Sequence, residues 1–190
     1  MPGTGYVLQI AAFPRRFHRC LAPVFPEVRD RCGSASAKLK AVRPSLYEYA
    51  GGEAAFLTLA RTHHERCLAD PVLNHPFSHD DQHPQHVERL AAYWAEVLGG
   101  PPAYSRGCGD EPGLLQLHVC NEDITELGER FHDCFVRALD DAGLPDDPEF
   151  REAISAYMRW AVDNMLTYSD GQTPVPAGAA VPRWGWNGLE

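Results

Sequence analysis

The chain has 190 residues, 44% of them hydrophobic and 23% charged, a composition typical of one globular domain with its own core. Residues 1–43 hold eight basic and two acidic residues (+6), whereas the remainder holds nine and 24 (−15). The net negative charge of residues 44–190 argues against a nucleic-acid partner. No apolar run in the sequence is long enough to span a membrane. We therefore expect a cytoplasmic protein.

The two ends of the chain are predicted to lie outside the helical domain. Proline and glycine recur without a period over residues 1–44, which indicates a flexible basic N-terminal extension. Residues 170–190 form a second flexible tail, rich in Pro and Gly. Trp184 and Trp186 lie in this tail, and we expect them to dock onto the domain because exposed indole rings are costly. The domain itself then spans residues 45–169.

Within the domain, apolar residues at spacings of three and four predict helices and no strands, hence an all-α fold. Pro84 suits the first turn of a helix, and Asp123 with Glu126 forms a capping box at the start of another. Residues 72–82 and the loop through Tyr104 are predicted to be irregular. The predicted helical segments are 46–49, 53–69, 84–98, 123–141 and a long last helix marked by Phe150 and Met165.

The six cysteines form no C-x-x-C pair and have irregular spacings, so we expect free thiols that serve mainly as small core residues. They are Cys20, Cys32, Cys67, Cys108, Cys120 and Cys134.

A stretch over residues 113–120 places a histidine at the end of an apolar run. Its three leucines would form an apolar wall from which His118 projects. A histidine on such a face is commonly a hydrogen-bonded core residue, so the stretch alone does not assign a ligand. A second apolar run, from Phe77 to Trp94, is available to form the opposite wall of a pocket.

Several short motifs follow one another between Ser45 and Ser169. They are Gly51-Gly52, Asp70-Pro71-Val72-Leu73, Phe77, Asp80-Asp81, Glu88-Arg89-Leu90, Gly99-Gly100-Pro101, Tyr104-Ser105 and His118. No single motif is specific. In this order and spacing, they make the segment resemble the truncated haemoglobins, and among them the group II, oxygen-type branch.

This resemblance implies a globin-like two-over-two helical sandwich that holds one haem b. His118 would match the family's proximal histidine, the ligand of the haem iron. Phe77 would match the aromatic residue that wedges the haem. Relatives often carry a propionate-binding arginine where this chain has Leu117, so Tyr104 or a different arginine would anchor the propionates. The other residues expected to contact the haem are Leu90, Tyr93, Trp94, Leu114 and Leu115.

The resemblance also implies an unusual distal side. His64 falls where group II members usually carry a tyrosine, His86 falls at the ligand gate, and Phe131 falls where many members have a tryptophan. Each imidazole N–H that points at a bound diatomic ligand would stabilise it by ~1.5–3 kcal/mol if the bond is charge-assisted. Alternatively His86, or less readily His64, would itself ligate the iron. The helical period places His63 on the apolar face of its helix, whereas the match to the truncated haemoglobins places His64 toward the haem.

Two other classes of function stay open at this point. His63-His64-Glu65 is similar to the ligand string of di-iron bundles, although the last two helices offer only His132 as a second ligand. A cofactor-free helical sensor or scaffold is the other class. A zinc or nickel site would need a further cluster of histidines, but two prolines in this segment prevent the histidines from sharing one continuous helical face. That cluster is His75, His79, His83 and His86.

We therefore expect a haem protein that binds dioxygen, nitric oxide or carbon monoxide. Oxidation of nitric oxide or peroxidase-like turnover would extend this activity and would need an electron-donating reductase. The sequence contains no nucleophile elbow, phosphate loop or H-E-x-x-H motif that would indicate a hydrolase. The oligomeric state is left open.

Overall fold

The computed structural model describes residues 43–78, 82–120 and 124–190. Within these ranges the chain forms eight helices and one small antiparallel hairpin, and none of these helices is long and apolar enough to cross a bilayer. The elements are α1 (Leu46–Ala50), α2 (Glu53–Ala69), α3 (Asn74–Phe77), α4 (His86–Val97), α5 (Ala103–Gly107), α6 (Glu111–Leu117), α7 (Thr125–Asp141), α8 (Pro148–Ser169), β1 (Trp184–Gly185) and β2 (Gly188–Leu189).

Local sequence signals explain where the main helices begin and end. Ser45 and Glu48 form a reciprocal capping box at the start of α1. Asp147 accepts a hydrogen bond of 2.9 Å from the backbone N–H of Phe150 and so caps α8. Just after α4, Gly99 adopts a φ of +97°, and a Cβ there would lie 2.6 Å from the Cβ of Ser45. Only glycine lets the chain turn at this point.

The structure corrects several predicted boundaries. α4 begins at His86, two residues after Pro84, which lies in the preceding turn. The two segments predicted to be irregular contain the short helices α3 and α5, and the stretch before His118, to which no helix was assigned, contains α6. Each of these helices spans too few turns to show a period. Residues 1–42 of the N-terminal extension, Asp80-Asp81 and the predicted cap Asp123 lie outside the described residues.

The long helices pack as two crossed pairs. α2 lies against α4, α7 lies against α8, and α2 also contacts α7, which joins the pairs. This arrangement confirms the all-α, two-over-two sandwich. Large side chains from α2, α7 and α8 are fully buried where the pairs meet, and they form the main core. They are Phe56, Leu59, Phe135, Leu139, Ile154, Tyr157 and Met158.

The C-terminal tail returns to the domain, as predicted from its tryptophans. The indole N–H of Trp184 donates to the backbone carbonyl of Ala153 on α8 at 3.1 Å. The indole N–H of Trp186 donates to the carbonyl of Pro44 at 2.8 Å. The tail therefore ties α8 to the chain entering α1, with each indole satisfying its donor on the backbone.

Candidate functional site

The first wall of the candidate site ends in His118. Asp110 caps α6 by accepting from the N–H of Gly113 at 2.8 Å, and His118 follows directly after the last residue of that helix. The Nδ1 of His118 lies 2.8 Å from the carbonyl oxygen of Leu114. As a carbonyl only accepts, Nδ1 carries the proton and Nε2 keeps its lone pair. His118 is thus held in the tautomer that suits a metal ligand.

Burial also controls the charge of His118. Its ring lies deep in the protein yet keeps some accessible surface, as expected for a side chain that lines a cavity. Loss of hydration lowers the pKa of His118, because burial disfavours the imidazolium form. The imidazole is therefore kept neutral, which ligation of a metal requires.

The second wall is a cluster of four rings contributed by four helices. His64 on α2 and His86 at the start of α4 have ring centroids 5.4 Å apart. Phe77 on α3 lies 5.8 Å from His64 and 6.2 Å from His86. Phe131 on α7 stacks on Phe77 at 6.0 Å. The structure thus brings together the four residues that the sequence assigned to the distal side and the wedge.

Two nitrogen atoms in this cluster have no hydrogen-bond partner among the described residues. Nδ1 of His64 and Nε2 of His86 are both shielded from solvent and unsatisfied. Burial lowers the pKa of both residues, that of His86 to about 4. Burying an imidazole nitrogen without a hydrogen bond costs about 1–3 kcal/mol in desolvation. Such atoms are rare in native proteins and commonly mark a functional position.

His86 and His118 lie near each other in the fold. After burial and the neighbouring His64 and Arg89, the charge of His118 is a further cause that lowers the pKa of His86. The two imidazoles are therefore close enough to repel each other if both carry a proton. His118 is therefore a neighbour of the ring cluster that contains His86.

Adjacent histidines on α2 have different surroundings. His63 is fully buried, its ring lies 4.4 Å from that of Phe131, and its Nε2 lies 3.3 Å from the carbonyl oxygen of Phe131. Burial lowers the pKa of His63 to about 3. His63 is thus a satisfied core residue, as its helical period predicts, whereas His64 belongs to the ring cluster, as the alignment predicts.

The slot between α4 and α6 is defined by matching residues on the two helices. His86, Leu90 and Tyr93 lie at i, i+4 and i+7 on α4. Glu111 and Leu115 on α6 and the C-cap residue His118 have the same spacing. Such residues share one helical face. The Tyr93 hydroxyl donates to the Glu111 carboxylate at 2.9 Å, so the helices are joined at that end. At the other end His86 lies near enough to His118 for their charges to interact.

The other predicted site residues lie in different places. Leu90 and Leu114 are partly buried, and Leu115 is buried. Trp94 packs against His63 at 5.3 Å and Phe135 at 5.0 Å, within the core. Tyr104 lies edge-on to Tyr93 at 5.0 Å, at the joined end of the slot. Direct cofactor contacts by these residues stay predictions.

Sequence reasoning missed three features of this region. Glu111 escaped notice because α6 was not predicted, although its i, i+7 relation to His118 was a usable signal. Arg89 was noted only as part of a motif, yet its guanidinium and the Tyr104 hydroxyl both lie next to Gly109. The thiols of Cys67 and Cys134 are close enough to hydrogen-bond, which no sequence spacing indicates.

The non-haem metal readings gain no support from this geometry. Across residues 43–78, 82–120 and 124–190, no three His, Cys, Asp or Glu side chains lie close enough together to hold a metal ion. His79, one member of the predicted zinc or nickel cluster, lies outside these ranges.

The two-over-two helical sandwich described above is a globin-type fold. The comparison with protein families agrees: the model for the bacterial-like globins matches residues 45–167. The chain belongs to this family. A comparison with curated proteins found no match.

Solved structures of bacterial haemoglobins are similar to this chain. The haemoglobin of Chloroflexus aurantiacus is 31% identical, with a TM-score of 0.56, over 65% of this chain and 98% of that one. The thermostable haemoglobin of Thermobifida fusca is 32% identical, with a TM-score of 0.54, over 65% and 97%. The group II 2-on-2 haemoglobin of Agrobacterium tumefaciens is 26% identical, with a TM-score of 0.56, over 67% and 97%. The resemblance to truncated haemoglobins of group II is thereby confirmed.

Proposed function

We propose that this chain binds one haem b in the slot between α4 and α6 and uses it to bind dioxygen or another diatomic ligand. Membership of the bacterial-like globins implies the haem cofactor. The observation that carries the proposal is the pair of buried, unsatisfied nitrogens on His64 and His86, near the neutral imidazole of His118. These residues fit a haem because they offer one neutral imidazole as a metal ligand and two buried polar atoms without partners among the described residues.

His118 is proposed as the proximal ligand, through Nε2. The hydrogen bond from its Nδ1 to Leu114 fixes the ring orientation and raises the basicity of Nε2. Leu114 and Leu115 exclude water from this face. The wall thus supplies one neutral ligand in a dry environment, which favours retention of the cofactor.

His64 and His86 are proposed to bind the diatomic ligand on the other side. Their pKa values are lowered, so each ring stays neutral and offers one N–H donor near pH 7. A donor in an apolar surrounding interacts more strongly with a polar ligand than the same donor does in water. Phe77 and Phe131 form the apolar part of this pocket. An alternative within the same proposal is that His86 itself ligates the iron in the resting state.

Arg89 and Tyr104 are proposed to hold the carboxylate groups of the haem, in place of the arginine that Leu117 replaces. The guanidinium of Arg89 lowers the pKa of His86 and opposes the effect of burial on Tyr104, so its positive charge reaches both. Burial raises the pKa of Tyr104 to about 12, which keeps its hydroxyl protonated as a donor. A cation and a donor beside Gly109 suit an anionic group.

When bound, the haem supplies an iron that binds diatomic ligands and exchanges electrons, including in the oxidation of nitric oxide or in peroxidase-like turnover. For such turnover we propose an electron-donating reductase as partner. The contribution of the protein is to keep two imidazole donors, one proximal ligand and few water molecules around this group.

The test is titration of the purified protein with haemin, followed by absorption spectra of the ferric, ferrous and carbonmonoxy forms. We expect one equivalent of haem to give a sharp Soret band that shifts on reduction and again with carbon monoxide. A low-spin ferrous spectrum before gas is added would identify a histidine as the sixth ligand.

Replacing the proposed proximal ligand provides the control. His118→Ala should abolish haem retention on a desalting column, whereas His132→Ala should retain it, because His132 lies between α7 and α8 near Ser155 and Arg159. Full haem retention by His118→Ala would overturn the assignment of the ligand. Absence of a Soret band in the unmodified protein would overturn the proposed function and favour a cofactor-free binding domain.

A further inference from the structure

The joined end of the slot contains a buried tyrosine and a buried carboxylate in direct contact. Tyr93 is 6% exposed and Glu111 is 4% exposed, and 2.9 Å separates the Tyr93 hydroxyl from Oε2 of Glu111. Burial is the main cause that raises the pKa of both groups. Gas binding does not require this pair.

A phenol that loses an electron becomes a strong acid and must release its proton in the same step. Water is an inefficient acceptor at a position this deeply buried. A carboxylate oxygen within hydrogen-bonding distance accepts the proton directly. Tyr93 meets this requirement. Tyr157 provides a contrast, since it is fully buried and its hydroxyl has no partner among the described residues.

Position along the helices connects this pair to the proposed haem. Tyr93 lies seven residues after His86, and Glu111 lies seven residues before His118. At 1.5 Å per residue, seven residues of helix span about 10 Å, so each member of the pair lies about that far along the chain from the histidine at the other end of the slot. Electrons tunnel readily over such separations in a packed protein. The Tyr104 ring, 5.0 Å from that of Tyr93, extends the path by a second aromatic group.

We infer that Tyr93 is a redox-active tyrosine that donates one electron to the haem during reduction of hydrogen peroxide, while Glu111 accepts its proton. This inference rests on the proposed function, because the haem mediates the electron transfer. Reduction of one hydrogen peroxide to two water molecules takes two electrons and two protons. A bound ferrous haem would supply one of these electrons and become ferric, Tyr93 would supply the other, and the two protons would come from solvent.

The bonds and charges of the two protein residues also balance in this step. The O–H bond of Tyr93 breaks, its proton forms a new O–H bond on the Glu111 carboxylate, and a neutral tyrosyl radical remains beside a neutral carboxylic acid. A reducing phenol or another one-electron donor then returns the electron, and Glu111 returns the proton. Tyr93 thereby lets the site complete a two-electron reduction without leaving the second oxidising equivalent on the haem.

The experiment mixes the ferrous holoprotein, free of oxygen, with one equivalent of hydrogen peroxide and records electron paramagnetic resonance spectra after rapid freezing. We expect a tyrosyl radical together with ferric haem. Tyr93→Phe should lose most of the radical signal, Glu111→Gln should also lose it because an amide cannot accept the proton, and Tyr157→Phe should keep it. A nitroso spin trap added to the unmodified protein should leave its adduct on the peptide that contains Tyr93.

Two results would overturn the inference. One is a full radical yield in haem-loaded Tyr93→Phe, and the other is a spin-trap adduct that maps only to other residues. The spin-trap measurement needs no variant, so it decides the matter even if Tyr93→Phe folds poorly. Absence of a Soret band would overturn the proposed function and this inference together, whereas haem binding without a Tyr93-dependent radical would overturn this inference alone.

Discussion

The slot between α4 and α6 has two ends that treat polar groups in opposite ways. At the joined end Tyr93 and Glu111 satisfy each other at 2.9 Å. At the open end His64 and His86 keep nitrogens that no described residue satisfies. The hydrogen bond of the first pair offsets part of the cost of burying it, whereas the nitrogens of the second pair have no such compensation among the described residues. The contrast teaches that the joined end holds the two helices together, while the open end fits the proposed ligand.

The largest effect is expected at the open end. His86→Leu should accelerate oxygen dissociation from the ferrous protein by about tenfold to a hundredfold, the equivalent of one hydrogen bond of ~1.5–3 kcal/mol to a polarised ligand. If His86 instead ligates the iron, the same variant should change a six-coordinate spectrum to a five-coordinate one. Stopped-flow displacement by carbon monoxide measures the rate.

His63→Leu is the matched control for that measurement, because the adjacent imidazole bonds to Phe131 in the core. It should change the dissociation rate much less than His64→Leu does. A larger effect at His63 than at His64 would contradict the placement of the two rings. An unchanged rate and an unchanged spectrum in His86→Leu would remove His86 from the site.

At the joined end the effect should appear as a loss of stability. Glu111→Leu leaves the Tyr93 hydroxyl buried without a partner, so the free energy of unfolding should fall by about 1–3 kcal/mol. Adding Tyr93→Phe removes the orphaned hydroxyl and should restore part of the loss. Urea unfolding of the haem-free protein measures both variants. A double variant less stable than Glu111→Leu would show that the hydroxyl is satisfied in another way.

The sequence predicts the long helices well because their apolar residues repeat over several turns. It also places His118, Phe77, His64 and His86 through the order of short motifs, and the structure brings the last three together. Prediction from the sequence fails where a helix has fewer than eight residues, as in α6, and Glu111 was missed for this reason. It also fails where contacts join distant segments.

The contacts of Tyr93 with Glu111 and of Cys67 with Cys134 show this second limit. Both pairs are buried side-chain contacts between helices, 18 and 67 positions apart in the chain, and each depends on how two helix faces meet. No local period carries that information. The division between His63 and His64 was decided in the same way, by which face of α2 meets α7, because a shift of one residue exchanges the two rings.

The smallest effect concerns the proton uptake of the satisfied histidine. The pKa of His63 is lowered to about 3 in the folded protein and is about 6.5 when unfolded. Between these values the unfolded state binds one more proton, so this contribution to stability is present above pH 6.5 and is lost as the pH falls. From pH 7 to pH 6 it amounts to about 0.7 kcal/mol. In the haem-free protein His63→Leu should reduce the loss of unfolding free energy between these two pH values by that amount. The rest of the pH dependence, which His64 and His86 share, should persist. An unchanged pH dependence would mean that His63 takes up its proton without unfolding of the protein. The distinction between a core side of α2 at His63 and a ligand side at His64 would then be wrong.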